Sequence, residues 1–273
     1  MHAVQTGGTG GEGRLLAAGD PDPVEVVRPS GASPFFLTCE HAGREFPARL
    51  GTLGLTGPDL DRHIAWDIGA AGIARGLSAR LDATLVLQRY SRLVVDCNRA
   101  PGAADFVAEV SEDTVIPGNR GLSGAEIDAR AAGVFHPYHD RIHDLLEARI
   151  VADRLTVVVS VHTCTPVYHG VHRPWHIGVM YEHDDRLARA MLAVLREEGE
   201  EADLEVGDNE PYFMTSDKDY SMPRHGQGRG FLHVGFEIRQ DLVESESGQG
   251  EWAQRMERVL RESLGRLKES GKV

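Results

Sequence analysis

A cluster of polar side chains around a short apolar run carries the strongest chemical signal in this chain. The run, residues 93–95, reads Leu-Val-Val and predicts a buried strand. Arg92 precedes it, and Asp96, Asn98 and Arg99 follow it. Two guanidinium groups and an amide at a strand end form a fork of hydrogen-bond donors that suits a carboxylate. We therefore expect Arg92, Asn98 and Arg99 to clamp a carboxylate of the substrate.

Histidine and acidic residues elsewhere in the chain could hold a metal ion. His41 and His162 each follow a predicted strand. Zinc binds histidine nitrogen and carboxylate oxygen, and a catalytic site leaves one position for water. Asp67 is the preferred third ligand, with His63 on the same face of a predicted helix. Glu40 is a rival, although an extended backbone points it away from its neighbour His41. A metal beside a carboxylate clamp suggests hydrolysis of an acylated amino acid.

Strand and helix patterns alternate along the chain from residue 34 onwards. The predicted strands cover residues 34–39, 84–87, 92–97, 155–161, 177–181 and 231–238. The predicted helices run from residue 58 to about 81, from about 123 to 152, from 184 to 199 and from 252 to 268. The alternation favours one α/β domain of three layers with a mostly parallel or mixed central sheet. Residues 1–32 predict a flexible N-terminal tail, which leaves residues 33–273 as a single catalytic domain.

An acidic residue in the last predicted strand also attracts attention. By period-two alternation, Glu237 shares a face with His233 and Gly235, whereas the opposite face is entirely apolar. An acid in a central strand is costly unless it is paired or coordinates something. Sites in open α/β sheets lie beyond the carboxyl ends of the strands. Glu237 therefore falls in the same region as the predicted ligands and clamp.

Composition narrows the classes of partner. Of the 273 residues, 41% are hydrophobic, and the formal net charge is −13. Because a polyanion requires a basic face, this acidic excess argues against nucleic acid as a partner. No apolar run approaches the length of a membrane span, and no basic and then apolar leader is visible. The three cysteines lack a Cys-x-x-Cys spacing, which suggests reduced thiols and a cytoplasmic location.

Simpler interpretations of the same residues remain open. A single histidine at a strand end is usually a polar surface residue. Arg92 and Arg99 could form structural ion pairs with Asp96, and Asp67 could pair with a nearby arginine. A cysteine nucleophile is also open, although small buried cysteines are commoner. The sequence contains neither the Gly-x-Ser-x-Gly motif of serine hydrolases nor the His-Glu-x-x-His motif of common metalloproteases.

Seven short pieces of sequence occur in the order found in one enzyme family. They are CEHAG (39–43), DIG (67–69), YSR (90–92) with DCNR (96–99), FHPYH (135–139), SVHT (160–163), GDNEPY (207–212) and FEI (236–238). Through them, the chain resembles the N-formylglutamate amidohydrolase family, a branch of the zinc-dependent exopeptidase-like hydrolases, over about residues 36–242. The DCNR piece is also similar to the carboxylate-binding strand end of metallocarboxypeptidases and aspartoacylases.

The resemblance implies a phosphorylase/hydrolase-like fold and a single zinc ion. It implies that His41 and His162 are metal ligands, that the arginine–asparagine clamp holds the substrate, and that Glu237 is the catalytic base. The carboxypeptidase relatives carry a glutamate three residues after the first histidine, where this chain has Arg44. Asp67 is therefore kept as the expected acidic ligand.

The implied activity is metal-dependent cleavage of the amide of an N-formyl or N-acyl amino acid. N-formyl-L-glutamate, cleaved to formate and glutamate, is the named substrate of the family, and such a reaction belongs to amino-acid degradation. The partner is then a small molecule, and residues 167–175 are expected to set specificity. Two alternatives remain: a related zinc peptidase or cell-wall amidase with the same ligands, and a non-catalytic carboxylate-binding module on the same scaffold.

Overall fold

The computed structural model describes residues 14–273, apart from the side chains of residues 200–202. Its strands are β1 (Val24–Val27), β2 (Phe35–Cys39), β3 (Thr84–Gln88), β4 (Val110–Ser111), β5 (Thr114–Val115), β6 (Val157–Cys164), β7 (Val167–Tyr168), β8 (Val171–His172), β9 (Ile177–Met180), β10 (Val206–Asp208) and β11 (Leu232–Arg239). Its α-helices are α1 (Gly57–Leu60), α2 (Ala70–Leu81), α3 (Gly124–Arg130), α4 (His136–Val151), α5 (Arg186–Ala202) and α6 (Glu246–Glu269). A π-helical segment, Ala131–Phe135, joins α3 to α4, so the predicted helix over 123–152 is one continuous helical stretch.

Seven strands form one mixed sheet in the order β1-β3-β2-β6-β11-β9-β10. The central four, β3, β2, β6 and β11, are mutually parallel. β1 runs antiparallel to β3, and β9 runs antiparallel to β11. The arrangement confirms the predicted α/β domain with a mixed central sheet. Two separate hairpins, β4–β5 and β7–β8, lie outside that sheet.

Helices cover both faces of the sheet, and β6 shows how a central strand has apolar side chains on each face. In β6, Val157, Val159 and Val161 belong to a core shared with α2, α5 and α6. Val158, between them, belongs to a second core shared with α4. The eight residues of β6 are all buried, as expected for a central strand covered on both sides. No helix within residues 14–273 combines the length and apolar character that crossing a membrane requires.

The predicted helix from residue 58 to about 81 is wrong in its first half. The chain forms only one turn, α1, and then a series of turns before α2 begins at Ala70. The backbone N–H of Asp67 donates to the His41 carbonyl at 2.9 Å, which ties this segment to the end of β2. Gly69 precedes α2 with φ +83°, and a Cβ there would lie 2.5 Å from the Val243 carbonyl oxygen. His63 and Asp67 therefore do not share a helix face.

The predicted strand over residues 92–97 is also wrong. The segment consists of turns, including a 2.9 Å hydrogen bond from the Val94 N–H to the Ser91 carbonyl. Leu93, Val94 and Val95 are nevertheless almost fully buried beneath α4 and neighbouring loops. An apolar run indicates that a segment is buried, but a buried segment need not form the hydrogen bonds of a sheet. The pattern alone therefore could not distinguish a buried strand from buried turns.

The predicted tail over residues 1–32 includes a strand of the sheet. β1 pairs antiparallel with β3 from Val24↔Gln88 to Val27↔Leu85. Its four residues are all half-buried, as expected at the edge of a sheet. A run of four residues gives little of the apolar–polar alternation by which a strand is predicted from sequence. Residues 1–13, the rest of the predicted tail, lie outside the described residues.

A buried histidine pair joins α4 to a second π-helical segment, Met222–Gly226. His139 Nδ1 lies 2.9 Å from His225 Nε2, and His139 Nε2 donates to the Cys97 carbonyl at 2.8 Å. The rings are stacked, with centroids 5.2 Å apart. Burial lowers the pKa of His139 to about 4, and burial together with neighbouring cationic groups lowers the pKa of His225 to about 3. Both rings are therefore held neutral in the folded protein.

This pair should make the protein acid-sensitive. In the unfolded chain both histidines take up protons below about pH 6.5, whereas the folded chain resists protonation until near pH 4, so stability falls as the pH falls through this window. The cost is on the order of 2 kcal/mol per histidine at pH 5. Urea unfolding of the parent and of His225→Gln at pH 7.5 and 5.0 measures it, and we expect a smaller loss in the variant. Equal losses in both proteins would remove His225 as a cause.

Candidate metal and substrate site

All seven residues singled out from the sequence line one cavity of about 420 Å³. The cavity lies at the carboxyl ends of the parallel strands, as expected for an open α/β sheet. They are His41, Asp67, Arg92, Asn98, Arg99, His162 and Glu237. The sheet itself brings three of them together: His41 follows β2, while His162 in β6 stands in register with Glu237 in β11. His63 lines the same cavity but contacts Glu112, at 3.3 Å.

Two histidines and one carboxylate converge at the base of the cavity. Oδ2 of Asp67 lies 2.9 Å from Nδ1 of His162 and 3.5 Å from Nδ1 of His41. One ligand atom from each residue can be chosen so that all three lie within 4.8 Å of one another. All three side chains are buried, and the His41 Nδ1 atom has no hydrogen-bond partner among the described residues. A buried nitrogen without a partner, facing a carboxylate and a second imidazole, suits a divalent metal such as zinc.

Each histidine is held from behind by a second carboxylate. His41 Nε2 lies 2.7 Å from Oδ1 of Asp96, and His162 Nε2 lies 3.2 Å from Oε2 of Glu40. With a metal bound, these contacts would favour the neutral tautomer that carries its hydrogen on Nε2, so the Nδ1 atoms would be the metal-binding atoms. Carboxylates behind metal-binding histidines fix the ring orientation and tautomer in this way. Glu40, considered from the sequence as a rival ligand, thus contacts the far side of His162.

The charges at the base of the cavity reinforce one another. Burial alone would raise the carboxyl pKa of Asp67, but His41 and His162 outweigh it and hold the pKa well below the usual range. Burial alone would lower the pKa of His162, but hydrogen bonds to Asp67 and Glu40 raise it instead. The pKa of Asp96 is likewise lowered, because Arg92 and His41 outweigh its burial. The group is thus rich in anionic oxygen, which favours a cation.

Glu237 differs from the other acids at the site. Its side chain is 8% exposed, and its Oε2 atom has no hydrogen-bond partner among the described residues. Burial raises its pKa to about 7, partly offset by the charges of His162 and His41. A carboxyl group with a pKa near neutrality exchanges protons readily at physiological pH, which is the property of a general base.

The predicted clamp lines the cavity, but its guanidinium groups are engaged by acids of the protein. Arg92 pairs with Asp96 at 2.6 Å, so the simpler structural interpretation of that residue holds for this contact. Arg99 pairs with Asp105 at 2.6 Å and lies 3.5 Å from Asp219. These pairs order the guanidinium groups at the wall and partly neutralise them.

Asn98 of the clamp has a structural contact of its own. Its side-chain oxygen accepts the backbone N–H groups of Tyr220 and Ser221, at 3.2 and 3.1 Å. Its amide nitrogen donates to Asp219 at 3.2 Å. The DCNR segment is thereby fastened to the chain segment that precedes β11.

The cysteines do not support a nucleophile. Cys39, Cys97 and Cys164 are free and buried, and burial raises the pKa of each thiol. A thiol held protonated in this way is a weak nucleophile.

Sequence reasoning missed the partners behind the ligands. Asp96 is 55 residues from His41 along the chain, and Ser160, which bridges Glu40 and His162, is 120 residues from Glu40. Asp96 was visible only as a neighbour of the arginines. The Ser-x-His spacing in β6, which puts Ser160 and His162 on one face of the strand, is the one local signal that could have pointed to this network.

Comparison with known proteins finds a matching family and similar solved structures. The family model described as N-formylglutamate amidohydrolase matches residues 33–244. The crystal structure of the gene product Atu2144 from Agrobacterium tumefaciens is 39% identical, covers 93% of this chain and 100% of its own, and has a TM-score of 0.89. The structure of N-formylglutamate amidohydrolase from Ralstonia eutropha JMP134 shares the fold at 17% identity, with 89% and 97% coverage and a TM-score of 0.68.

No curated protein matches the chain significantly. The family model nevertheless spans more than half of the sequence, including all seven site residues. The chain therefore belongs to the N-formylglutamate amidohydrolase family.

Proposed function

We propose that this protein is a metal-dependent amidohydrolase that cleaves the amide of an N-formyl or other N-acyl amino acid, such as N-formyl-L-glutamate. The convergence of His41, Asp67 and His162 beside a buried carboxyl group, Glu237, carries the proposal. Family membership makes the enzyme a hydrolase, and the name of the Ralstonia relative supports the formyl-amide substrate.

Each group of residues has a separate role in amide hydrolysis. His41, Asp67 and His162 would hold a divalent metal, zinc by preference, which when bound lowers the pKa of water and polarises a carbonyl group. Glu237 takes the proton from the attacking water as the new C–O bond forms, and it passes that proton to the leaving nitrogen as the C–N bond breaks. Asp96 and Glu40 keep both imidazoles oriented throughout.

The clamp residues position the substrate. Arg92, Asn98 and Arg99 line the cavity wall, where their N–H groups can receive a substrate carboxylate and fix the amide near Glu237. A guanidinium in this position can also stabilise the oxyanion of the tetrahedral intermediate. The remaining walls leave a cavity of about 420 Å³, which is ample for a small acylated amino acid.

Replacement of Arg99 by alanine tests the clamp. We expect Arg99→Ala to raise KM for N-formyl amino acids by at least about tenfold, since a charge-assisted hydrogen bond is lost. An N-formyl amine without a carboxylate should be cleaved as slowly by the variant as by the parent. Steady-state kinetics on the two substrates decides the question, and an unchanged preference for the carboxylate would remove Arg99 from the clamp.

The activity itself is tested on the purified protein with a panel of substrates. We expect release of formate from N-formyl amino acids, loss of turnover after a chelator, and recovery with added zinc. Cleavage of muropeptides in preference to these compounds would support the cell-wall amidase alternative. Tight binding of amino-acid carboxylates with no turnover of any substrate would support the binding-module alternative.

A further inference from the structure

Arg173 differs from the other arginines at the site because its charge has no acidic partner in the part of the chain that the structure describes. Its side chain is 6% exposed. The guanidinium donates to the Tyr212 hydroxyl at 2.8 Å and to the Thr165 carbonyl at 3.4 Å, and it forms no ion pair with any residue in 14–273. Arg92 and Arg99, in contrast, are each paired with carboxylates. A buried charge is costly unless it is paired, so the arrangement calls for an anion from outside the chain.

The surroundings of Arg173 place its charge directly behind the cavity wall, since Arg173 does not line the cavity itself but contacts residues that do. Its guanidinium carbon lies 4.8 Å from the centre of the Tyr168 ring and 4.6 Å from the centre of the Tyr212 ring. Both tyrosines and Thr165 line the cavity. The charge also acts inside it: burial raises the pKa of Glu237 overall, and Arg173 is among the groups that oppose this rise. Two aromatic faces attract a cation but do not replace a carboxylate.

The Tyr212 hydroxyl links Arg173 to the cavity by a hydrogen bond. Its oxygen accepts from Arg173, which leaves its own O–H free to donate. Tyr212 is 41% exposed overall, but desolvation around its hydroxyl raises the pKa of Tyr212 to about 12, so the hydroxyl keeps its proton at neutral pH. Lys218 also lines the cavity without an ion pair among the described residues, but it is exposed, so water solvates its charge.

Arg173 is held firmly in this position. Its backbone N–H donates to the Pro166 carbonyl at 2.8 Å, which closes the β7–β8 hairpin. Arg239 donates to the carbonyls of Arg173 and Pro174, at 3.2 and 2.9 Å. A fixed donor costs little ordering entropy when it binds a ligand.

We propose that Arg173 and Tyr212 form a second carboxylate site, which binds the side-chain carboxylate of an N-acylated acidic amino acid. The proposal rests on the proposed function and deepens it, since the clamp of Arg92, Asn98 and Arg99 then receives the other carboxylate. Arg173 and Tyr212 are then the residues that select for an acidic side chain.

Kinetics of the zinc-loaded enzyme on N-formyl-L-glutamate and N-formyl-L-glutamine tests the site, because these substrates differ only in the side-chain charge. We expect Tyr212→Phe to raise KM for the glutamate compound about tenfold with little change in kcat, and Arg173→Gln to raise it further. KM for the glutamine compound should stay near the parent value. Arg173→Lys, which retains the charge, should recover part of the preference.

Tyr181→Phe is the matched control, because it keeps a ring against an arginine, Arg189, and removes a tyrosine hydroxyl that donates to Asp208 at 2.6 Å away from the cavity. We expect it to behave as the parent. An equal rise in KM for both substrates in Tyr212→Phe, or no rise for either, would overturn the proposal and leave Arg173 as a support for the hairpin.

A binding measurement separates this proposal from the proposed function. Calorimetric titration with the amino acids L-glutamate and L-glutamine requires no turnover. We expect the parent to bind glutamate at least about tenfold more tightly, and Tyr212→Phe and Arg173→Gln to lose this difference. A protein that prefers glutamate in this way but hydrolyses no substrate would refute the proposed hydrolase activity and support the carboxylate site. An active parent with no preference for glutamate would support the hydrolase activity and refute the carboxylate site.

Discussion

Glu237→Gln should retain the metal and lose most of its turnover. Glutamine has nearly the shape of glutamate but cannot take a proton from water, so we expect kcat to fall on the order of 10³-fold. Because Glu237 is buried with an oxygen that bonds to no described residue, removal of its charge should not destabilise the fold. Steady-state kinetics and metal analysis of the same preparation measure both quantities.

Glu112→Gln is a suitable control for this variant. Glu112 lines the same cavity, but its carboxylate pairs with Arg62 and His63 instead of facing the ligand group. We expect its turnover to stay near that of the parent. Full activity in Glu237→Gln would show that another group takes the proton, and a loss of metal in that variant would make Glu237 a ligand.

His41→Ala and His162→Ala should each abolish metal binding. With three protein ligands, the loss of one imidazole removes a third of the donor set, and affinity for zinc falls steeply. We expect about one zinc per chain in the parent and almost none in either variant. Metal analysis by mass spectrometry after dialysis, with circular dichroism to verify folding, is the measurement.

His63→Ala is the matched control, because it makes the same substitution at a cavity histidine outside the ligand group. His63 lines the cavity but contacts Glu112 rather than the ligand group, so this variant should keep its zinc. A parent that takes up no metal even after reconstitution, or a His162→Ala variant that holds it as well as the parent, would contradict the ligand assignment. The first outcome would favour the carboxylate-binding module.

Local patterns in the sequence were sufficient for the architecture and for the set of residues that share one cavity. Alternation of strand and helix predicted the mixed α/β sheet because periodicity reports which side of an element is buried. The strand-end positions of His41, His162 and Glu237 predicted a shared site because parallel strands end at one edge. The same logic failed for residues 92–97, where burial occurs in turns, and for residues 58–69, where a tie to β2 overrides helix propensity.

The sequence by itself therefore determined the sheet, the family and the residue types of the site. Only the tertiary structure decided which charges remain available there. Asp96 stands behind His41, and acids neutralise Arg99, whereas Arg173 has no acidic partner among the described residues. These partners lie far apart along the chain or in loops, and no periodicity encodes such contacts, because strand order and the return of each loop bring them together.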